Sequence, residues 1–196
     1  MRKLVFIIIC LFVMSWQVVA QRDTILSNHH EITFSFGIIP QKIYLFSSSF
    51  NKNELFKSIS MGYSYRFNKV IGVGALYSYV PNFYTIFYQS YSGSEEIIGR
   101  MNQSSHSFVS VLKINWLNTK YVVLFSKIGI GFTLLQHTLT NYYPEKYEIS
   151  PSYEDLFLAA LVTPIGIEIG TKQYAGFLQY GIGNQGMFTA GFRLGL

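Results

Sequence analysis

Residues 59–79 read ISMGYSYRFNKVIGVGALYSY and form two alternating runs joined by the tight turn Asn68-Lys69. In the first run, residues 59–67, every odd-numbered position is apolar or aromatic, and the even-numbered positions are serine, glycine or arginine. The second run, residues 71–79, has the same alternation, with glycine or serine at most even-numbered positions. Because successive side chains of a strand point to opposite faces, this period indicates β-strands with two different faces. The stretch therefore predicts a β-hairpin with one apolar face and one small, polar face.

The same alternation recurs after residue 20 and predicts eight strands in all. It is clear over residues 31–38 and 188–195, and less regular over residues 106–116, 121–133, 157–169 and 174–181. In the less regular strands we assign these residues to the polar face: Lys113, Asn115, Lys127, Gly129, Gly131, Pro164, Gly166 and Glu168. Pro164 cannot donate to a strand ladder, and a closed barrel has no free edge, so a β-bulge is expected there.

The predicted connections are of two kinds. Short ones lie at Asn68-Lys69, Asn118–Lys120, Gly170–Gln173 and, between the last two strands, Gly181–Gly186. Long polar or aromatic ones lie near residues 40–54, 81–104 and 135–154. Short turns at one end and longer loops at the other are typical of outer-membrane barrels. This pattern predicts that the lysine-bearing turns face the periplasm and the long loops face the exterior.

The composition decides which face of the strands points outward. Only 13% of the residues are charged, about half the fraction of a soluble protein, so much of the surface must face something other than water. Glycine and serine on the polar face suit the crowded interior of an eight-stranded barrel. Aromatic residues cluster where the strands end, as in two interfacial girdles: Tyr65, Phe67, Trp116, Tyr121 and Tyr174 at the short turns, and Tyr77, Tyr79, Phe83 and Phe157 at the long loops. We therefore predict an all-β fold, an eight-stranded antiparallel up-and-down transmembrane β-barrel.

The first twenty residues are predicted to be a cleaved signal peptide. Arg2 and Lys3 precede an apolar run from Leu4 to Trp16, and Ala20 provides the small residue that a signal peptidase requires. Residues 21–29 would then form a short periplasmic segment and residues 30–196 the barrel. The mature chain would have no cysteine, which excludes disulfides and thiol chemistry, and a net charge of only +3, which does not favour nucleic-acid binding.

The C-terminal end resembles the assembly signal of outer-membrane barrels. The residues that carry this resemblance are Thr189, Gly191, Leu194 and Leu196, although a terminal aromatic residue is commoner than Leu196. The stretches Gly181–Gly186 and Thr163–Gly166 are also similar to the small outer-membrane β-barrel family (outer membrane protein beta-barrel domain). The resemblance implies a bacterial outer-membrane location in outer-membrane lipid and insertion by the barrel-assembly machinery. It implies no single activity.

Four charged residues of the polar face are expected to form an ion network in the lumen: Glu31, Arg66, Glu168 and Arg193. In a closed barrel the first strand neighbours both the second and the eighth, which should bring Glu31 near Arg66 and Arg193 at the periplasmic end. Isolated charges in such an interior are costly, so pairing is expected. The structural interpretation is a plug, and the alternative is a polar pathway for protons or small solutes.

Catalytic and binding candidates are few. Adjacent residues of a strand point to opposite faces, so His106 and Ser107 cannot act together as base and nucleophile, although a partner from another strand stays open. His29 and His30 lack a third metal ligand, and no metal or cofactor is predicted. The loop residues predicted as binding candidates, for an unknown surface ligand, are Tyr142, Tyr143, Tyr147 and Tyr153.

The sequence thus predicts a non-enzymatic outer-membrane barrel with a structural or surface-interaction role through its extracellular loops. Two alternatives remain open at this point. One is an outer-membrane enzyme that modifies lipid, and the other is a periplasmic soluble barrel that binds a small apolar ligand.

Overall fold

The computed structural model describes residues 30–39, 56–91, 94–141 and 152–196, and the regular structure in these residues is β-strand throughout. The strands are β1 (His30–Ile39), β2 (Phe56–Arg66), β3 (Ile71–Tyr91), β4 (Ser94–Asn118), β5 (Val122–Asn141), β6 (Ser152–Gly170), β7 (Tyr174–Ile182) and β8 (Phe188–Gly195). In this part of the chain there is no helix long and apolar enough to cross a membrane. The predicted signal peptide and the segment 21–29 lie outside the described residues.

Each strand pairs antiparallel with the next, and β1 pairs with β8, so the sheet closes on itself. Between β2 and β3 Met61 lies opposite Tyr77, and across the closure Phe34 lies opposite Phe192, with ring centroids 5.3 Å apart. Closure pairs the backbone groups of β1 and β8 that would otherwise form the two edges of the sheet. The predicted fold class, an eight-stranded antiparallel up-and-down barrel, is confirmed.

The outer face of the barrel is mainly apolar, and the inner face is mainly polar or small with a few buried apolar side chains such as Leu76, Val109 and Leu161. Leu158 and Ile130, on the outer face, are 79% and 62% exposed, whereas Ser60, Ser78 and Ser107, on the inner face, are almost fully buried. The residues assigned to the polar face in β4 and β5 all lie on the inward-facing series: Lys113, Asn115, Lys127, Gly129 and Gly131. These residues therefore do not face outward, as the polar residues of a soluble ligand-binding barrel would.

Glycines on the inner face leave room for larger neighbours. A Cβ atom at Gly166 would overlap the ring of Phe125, and one at Gly37 would overlap the backbone carbonyl of Gln185. Phe125 is fully buried in the lumen as a result. Small and large side chains thus alternate to fill the narrow interior.

The bulge expected at Pro164 is present. Pairing of β6 shifts register on both sides, against β7 between Val162 and Ile165 and against β5 between Phe125 and Lys127. The prediction that Pro164 itself belongs to the inner face is wrong, because Pro164 is exposed. The extra residue at the bulge changes the phase of the strand, so that the inward series runs through Thr163 and resumes at Gly166.

Two of the long loops predicted from the sequence are wrong in extent. Most of residues 81–104 belong to β3 and β4, which pair as far as Tyr91 and Ser94, and much of 135–154 belongs to β5 and β6. The hydrophobic alternation disappears there although the backbone pairing continues. On the outer face Asn102, Ser104, Gln136 and Thr138 are polar, so the two faces no longer differ in polarity, and this explains why the pattern was interpreted as loop.

The wall of the barrel is uneven in height. Strands β3 to β6 have 21, 25, 20 and 19 residues, whereas β7 and β8 have 9 and 8. A transmembrane strand needs about 9–11 residues. The four long strands therefore extend well beyond the short ones at the end opposite the short turns. We call the end with connections 67–70, 119–121 and 171–173 the turn end, and the opposite end the outer end.

Candidate functional site: a sealed lumen and an extended outer wall

A cluster of buried charged side chains closes the lumen near the turn end. Arg193 Nη1 lies 3.1 Å from Glu31 and its Nε lies 3.2 Å from Glu168. Arg66 pairs directly with Glu31, and its Nη2 lies 3.9 Å from Glu168. Lys113 pairs directly with Glu168 and lies 3.7 Å from Glu31. The structure thus brings together the four residues proposed for the ion network and adds Lys113.

Lys113 was assigned to the inner face but not to the network. Its strand β4 does not neighbour β1, β6 or β8 in the sheet. The contact with Glu31 and Glu168 therefore crosses the lumen rather than passing between adjacent strands. Sequence spacing gives no signal for such a contact, but the small diameter of an eight-stranded barrel allows side chains of distant strands to meet.

The same end of the lumen fixes two of the short connections. Arg193 donates through Nη1 to the carbonyl of Lys172 at 2.9 Å and through Nη2 to that of Thr171 at 3.0 Å. The side-chain amides of Asn115 and Asn118 donate to the carbonyl of Lys69 at 3.2 and 3.1 Å. The ion cluster is therefore continuous with the turns that lie below it.

Lys127 lies above the cluster and is held by a different kind of contact. Its Nζ donates to Oε1 of Gln179 at 3.0 Å. It also lies 4.7 and 5.2 Å from the ring centroids of Phe125 and Phe177. An amide oxygen and two aromatic faces provide the partial negative charge that a desolvated ammonium needs.

Gln185 seals the lumen from the other side. It is 2% exposed, and it belongs to the connection 183–187 between β7 and β8, which folds into the barrel. Its side chain accepts from Gln179 at 2.8 Å and donates to Ser35 at 3.4 Å. Its backbone carbonyl accepts hydrogen bonds from Ser58 and, at 3.3 Å, from Thr189. Sequence analysis missed this residue because a glutamine within a glycine-rich connection has no periodic context.

Between the charged cluster and Gln185 lies a cavity of about 30 Å³, lined by Glu31, Leu76, Lys113, Lys127 and Leu161 among others. A volume of this size holds only one or two water molecules. The lumen is therefore packed at two levels and nearly filled between them. Such an interior can hold charges rigidly, and among the described residues it leaves no aqueous channel of the width seen in larger barrels.

A second polar cluster lies on the inner face of the long strands near the outer end. His137 Nδ1 lies 2.9 Å from Nε2 of Gln103, and its Nε2 lies 3.2 Å from Asp155. The imidazole ring stacks on Tyr153 with centroids 4.3 Å apart and an interplanar angle of 9°. Burial lowers the pKa of His137 below its usual value, and the Asp155 carboxylate opposes this shift.

The other described histidines are bound to tyrosines. His30 Nδ1 lies 2.6 Å from the hydroxyl of Tyr63, and His106 Nδ1 lies 2.8 Å from that of Tyr77 on the outer face. Ser107 points inward, where its hydroxyl lies 2.9 Å from that of Thr133. His106 and Ser107 are thus on opposite faces. No group of three potential metal ligands occurs within the described ranges, and His29 lies outside them.

The tyrosines proposed as loop binding candidates divide into two groups. Tyr142, Tyr143 and Tyr147 lie outside the described residues. Tyr153 is part of β6 rather than of a loop, and its ring stacks on His137. It is therefore a strand residue of the extended wall, where the pairing of β5 with β6 continues as far as Thr138 and Ser152.

The aromatic residues at the strand ends follow the predicted girdles in part. At the turn end Phe67, Tyr121 and Tyr174 are exposed. At the outer end Tyr77 and Tyr79 surround His106, with ring centroids 6.1 and 4.9 Å away. The assignment of Phe157 to a girdle is wrong, because it shares the inward-facing series with Ala159 and Leu161. The side chain of Phe83 lies outside the described set.

The residues of the proposed assembly signal lie on β8 and at the chain end. Thr189 and Gly191 face the lumen, and Leu194 is half-buried opposite Ile32 of β1. The backbone amide of Leu196 donates to the carbonyl of His30 at 2.8 Å, so the last residue still belongs to the β1 contact. Recognition of these residues during assembly stays a prediction.

The fold and the lumen define a closed eight-stranded β-barrel with a largely apolar exterior and a packed interior that contains a buried ion cluster. No protein-family model matches the chain, and no curated protein matches it. Among solved structures it is similar to Ail, the attachment invasion locus protein of Yersinia pestis, determined in complex with the heparin analogue sucrose octasulfate. The identity is 13% over 86% of this chain and 94% of that chain, with a TM-score of 0.47.

A second structure of Ail gives 14% identity over 87% of this chain and 97% of that chain, also with a TM-score of 0.47. The N-terminal β-barrel domain of Pseudomonas aeruginosa OprF is 13% identical over 86% of this chain and 96% of that chain, with a TM-score of 0.41. These similarities concern the fold alone.

Proposed function

We propose that this chain is an integral protein of the bacterial outer membrane, without enzymatic activity, that serves a structural or surface-interaction role. The observation that carries the proposal is the apolar belt around the barrel. On β5 the outward side chains are largely apolar from Leu124 to Leu134, and the next outward residue is Gln136. At the strand rise and tilt of membrane barrels this length spans about 25 Å, the height of their lipid-facing band.

The upper border of the belt is sharp. Leu134 pairs with Leu156 on β6, and two residues further out Gln136 pairs with Glu154. Gln136 Nε2 donates to the Glu154 carboxylate at 3.1 Å on this outer surface. The outward pair changes from two leucines to a hydrogen-bonded polar pair within two residues, which fits a boundary between hydrocarbon and water.

In this proposal the turn end faces the periplasm and the outer end faces the exterior. Short periplasmic turns and longer exterior segments are the usual arrangement in such barrels. The surrounding partner is outer-membrane lipid, and the barrel-assembly machinery inserts the chain. The packed lumen supports a structural role rather than passage of solutes.

The extended wall supports the surface-interaction part of the proposal. Beyond Tyr79, β3 has no β2 partner among the described residues, and β6 has no β7 partner before Val162. Within the described residues, both outer stretches therefore form the sides of a four-stranded sheet. Such an edge can accept an added strand from another chain, with backbone hydrogen bonds supplying the contact.

Membrane integration is tested by fractionation and heat-modifiability. The protein should stay in the outer-membrane pellet after a carbonate wash and should migrate differently on a gel before and after boiling, because a folded barrel resists detergent until heated. Extraction by carbonate with no change in migration would refute integration.

Sidedness is tested with single cysteines, since the chain after residue 20 has none. Ser152→Cys near the outer end should react with a membrane-impermeant maleimide on intact cells. Thr171→Cys at the turn end should react only after the outer membrane is opened. Labelling of both, or of Thr171→Cys alone, on intact cells would contradict the proposed orientation.

A further inference from the structure

The three short connections of the turn end repeat one pattern. Each has one lysine and, one or two residues away, an aromatic side chain that is 55–67% exposed. The pairs are Phe67 with Lys69, Lys120 with Tyr121, and Lys172 with Tyr174. Residues 67–70, 119–121 and 171–173 contain no aspartate or glutamate. These three connections therefore carry three positive charges, each beside an exposed ring.

The backbone of each turn is fixed by a polar side chain at or near its start. Asn68 Oδ1 accepts from the amides of Val70 and Ile71 at 2.8 and 2.7 Å. Thr119 Oγ1 accepts from the amide of Val122 at 3.0 Å, and Thr171 Oγ1 accepts from that of Tyr174 at 3.1 Å. These capped turns hold the lysines on an ordered rim rather than on loose loops.

The three turns are also neighbours along the rim. Asn118, at the end of β4, donates to the carbonyl of Lys69, which joins the first turn to the second. The amide of Gly170 donates to the carbonyl of Tyr121 at 2.9 Å, which joins the second to the third. The turns that carry Lys69, Lys120 and Lys172 thus form one continuous row along the rim, and we call these three lysines the lysine arc.

A small cavity of about 30 Å³ lies between the second and third turns. Lys120, Tyr121 and Lys172 line it together with Thr119 and Thr171, and Arg66, Arg193 and the Glu168 carboxylate of the lumen cluster reach it from above. Both threonine hydroxyls donate within their own turns, to the carbonyls of Val122 and Tyr174, so the two lysines are the groups here that can meet an anion. Lys120 Nζ lies 5.1 Å from the centroid of the Tyr121 ring, so the charge and the ring act at the same place.

We propose that the lysine arc binds the headgroups of anionic phospholipids in the leaflet at the turn end. This inference rests on the proposed membrane location. Aromatic side chains settle at the boundary between hydrocarbon and headgroups, and a lysine beside them reaches the phosphate layer. Zwitterionic lipids carry no net charge to balance three ammonium groups, whereas anionic lipids do.

The exposed rings favour a lipid over a polar polymer of carboxylates. Such a polymer would pair with the lysines but would leave Phe67, Tyr121 and Tyr174 in water. A lipid surface satisfies both halves of each pair, because it offers an apolar layer and an anionic layer a few ångströms apart.

The experiment compares unfolding by urea in vesicles of phosphatidylcholine with and without phosphatidylglycerol, using the complete chain after residue 20. The anionic lipid should lower the unfolding equilibrium constant of the native sequence by up to about fivefold per lysine at low salt. The variant K69Q/K120Q/K172Q should lose most of this response, and high salt should remove it from the native sequence as well.

The matched control is K42Q/K52Q/K146Q, which removes the same charge from the segments that join β1 to β2 and β5 to β6. It should keep the full response to phosphatidylglycerol. Equal responses in the two triple variants would overturn the proposal. So would a variant of the arc that keeps the phosphatidylglycerol response and loses only co-sedimentation with peptidoglycan, the carboxylate-bearing polymer considered as the alternative partner.

The two proposals fail in different ways. If the chain does not fold into phosphatidylcholine vesicles at all, membrane integration is wrong. If it folds there and phosphatidylglycerol changes nothing, only the lysine arc is wrong.

Discussion

Glu31 on β1 and Glu168 on β6 share the same three cations, because Arg66, Lys113 and Arg193 each lie no more than 3.9 Å from both carboxylates. The strands of the two glutamates are separated by β7 and β8 in the sheet. Five strands therefore meet in one ionic cluster. No cation in it depends on a single carboxylate, and each carboxylate supports all three cations.

Removal of one carboxylate should destabilise the whole barrel. Glu31→Ala leaves three buried cations against one anion, and breaking a buried pair costs about 3–5 kcal/mol. We expect a loss of this size in the free energy of unfolding, measured by urea titration in vesicles. Planar-bilayer recordings should show no new conductance, since Gln185 still closes the lumen.

Glu154→Ala is the matched control for that experiment. Glu154 is an exposed carboxylate on the outer surface of β6, and its loss should change the free energy of unfolding by less than about 1 kcal/mol. Equal effects of Glu31→Ala and Glu154→Ala would show that the cluster is not a stabilising network. A conducting Glu31→Ala variant would favour the alternative of a polar pathway.

The apolar belt predicts a depth-dependent cost for charge. Ile130→Arg places a guanidinium near the middle of the outward face of β5 and should cost about 2–4 kcal/mol in vesicles. Gln136→Arg, six residues further along the same face, should cost at most about 1 kcal/mol. Urea unfolding of both variants measures the difference. In a water-soluble barrel the two substitutions would be similarly tolerated.

Two glycine-to-alanine substitutions test how tightly Gln185 is packed in the lumen. Gly37→Ala places a methyl group against the carbonyl of Gln185 and should cost about 1–3 kcal/mol by overpacking. Gly176→Ala faces outward, where the nearest atom to a new Cβ is 4.0 Å away, and it should be nearly neutral. The melting temperature of refolded barrels distinguishes them. If Gly37→Ala were as stable as Gly176→Ala, the seal would not be tightly packed.

The buried His137 predicts a pH dependence at the outer end. Its pKa is lowered in the folded state, so between that value and 6.5 the unfolded chain binds more protons than the folded chain. Stability is therefore fully present above pH 6.5 and falls as the pH is lowered through the pKa of the folded state. His137→Phe keeps a ring to stack on Tyr153 and should reduce this loss, measured by urea unfolding across the window.

Asp155→Asn should increase the loss of stability at low pH, whereas His137→Phe should reduce it. The carboxylate raises the pKa of His137 against the effect of burial, so its removal should make the loss of stability on acidification steeper. Identical pH profiles for the native chain and His137→Phe would exclude this histidine as the cause.

The sequence was sufficient to predict the barrel because the two faces of each strand meet different surroundings. Alternation identified inward and outward residues where one face lies on the apolar outer surface and the other against the lumen, as in residues 59–79. It also identified the proximity of Glu31 to Arg66 and Arg193, since β1 neighbours β2 and β8 in any closed barrel of this order.

What the sequence did not predict lies where that contrast is absent. The outer parts of β3 to β6 have no alternation, and they were interpreted as loops. Lys113 joins the ion cluster across the lumen, and Gln185 enters the lumen from the connection between β7 and β8. Neither contact follows from strand order. Contacts through the interior depend on the diameter of the barrel and on which side chains fill it.

The inward fold of residue 185 has a consequence for the order of assembly. Its partners Ser35 and Ser58 belong to the first hairpin of the chain, and its own connection belongs to the last. The glutamine can reach its final position only when the amino-terminal and carboxy-terminal hairpins have met. Pairing of β1 with β8 and burial of Gln185 are therefore one cooperative event, and a chain truncated before β8 would lose both together.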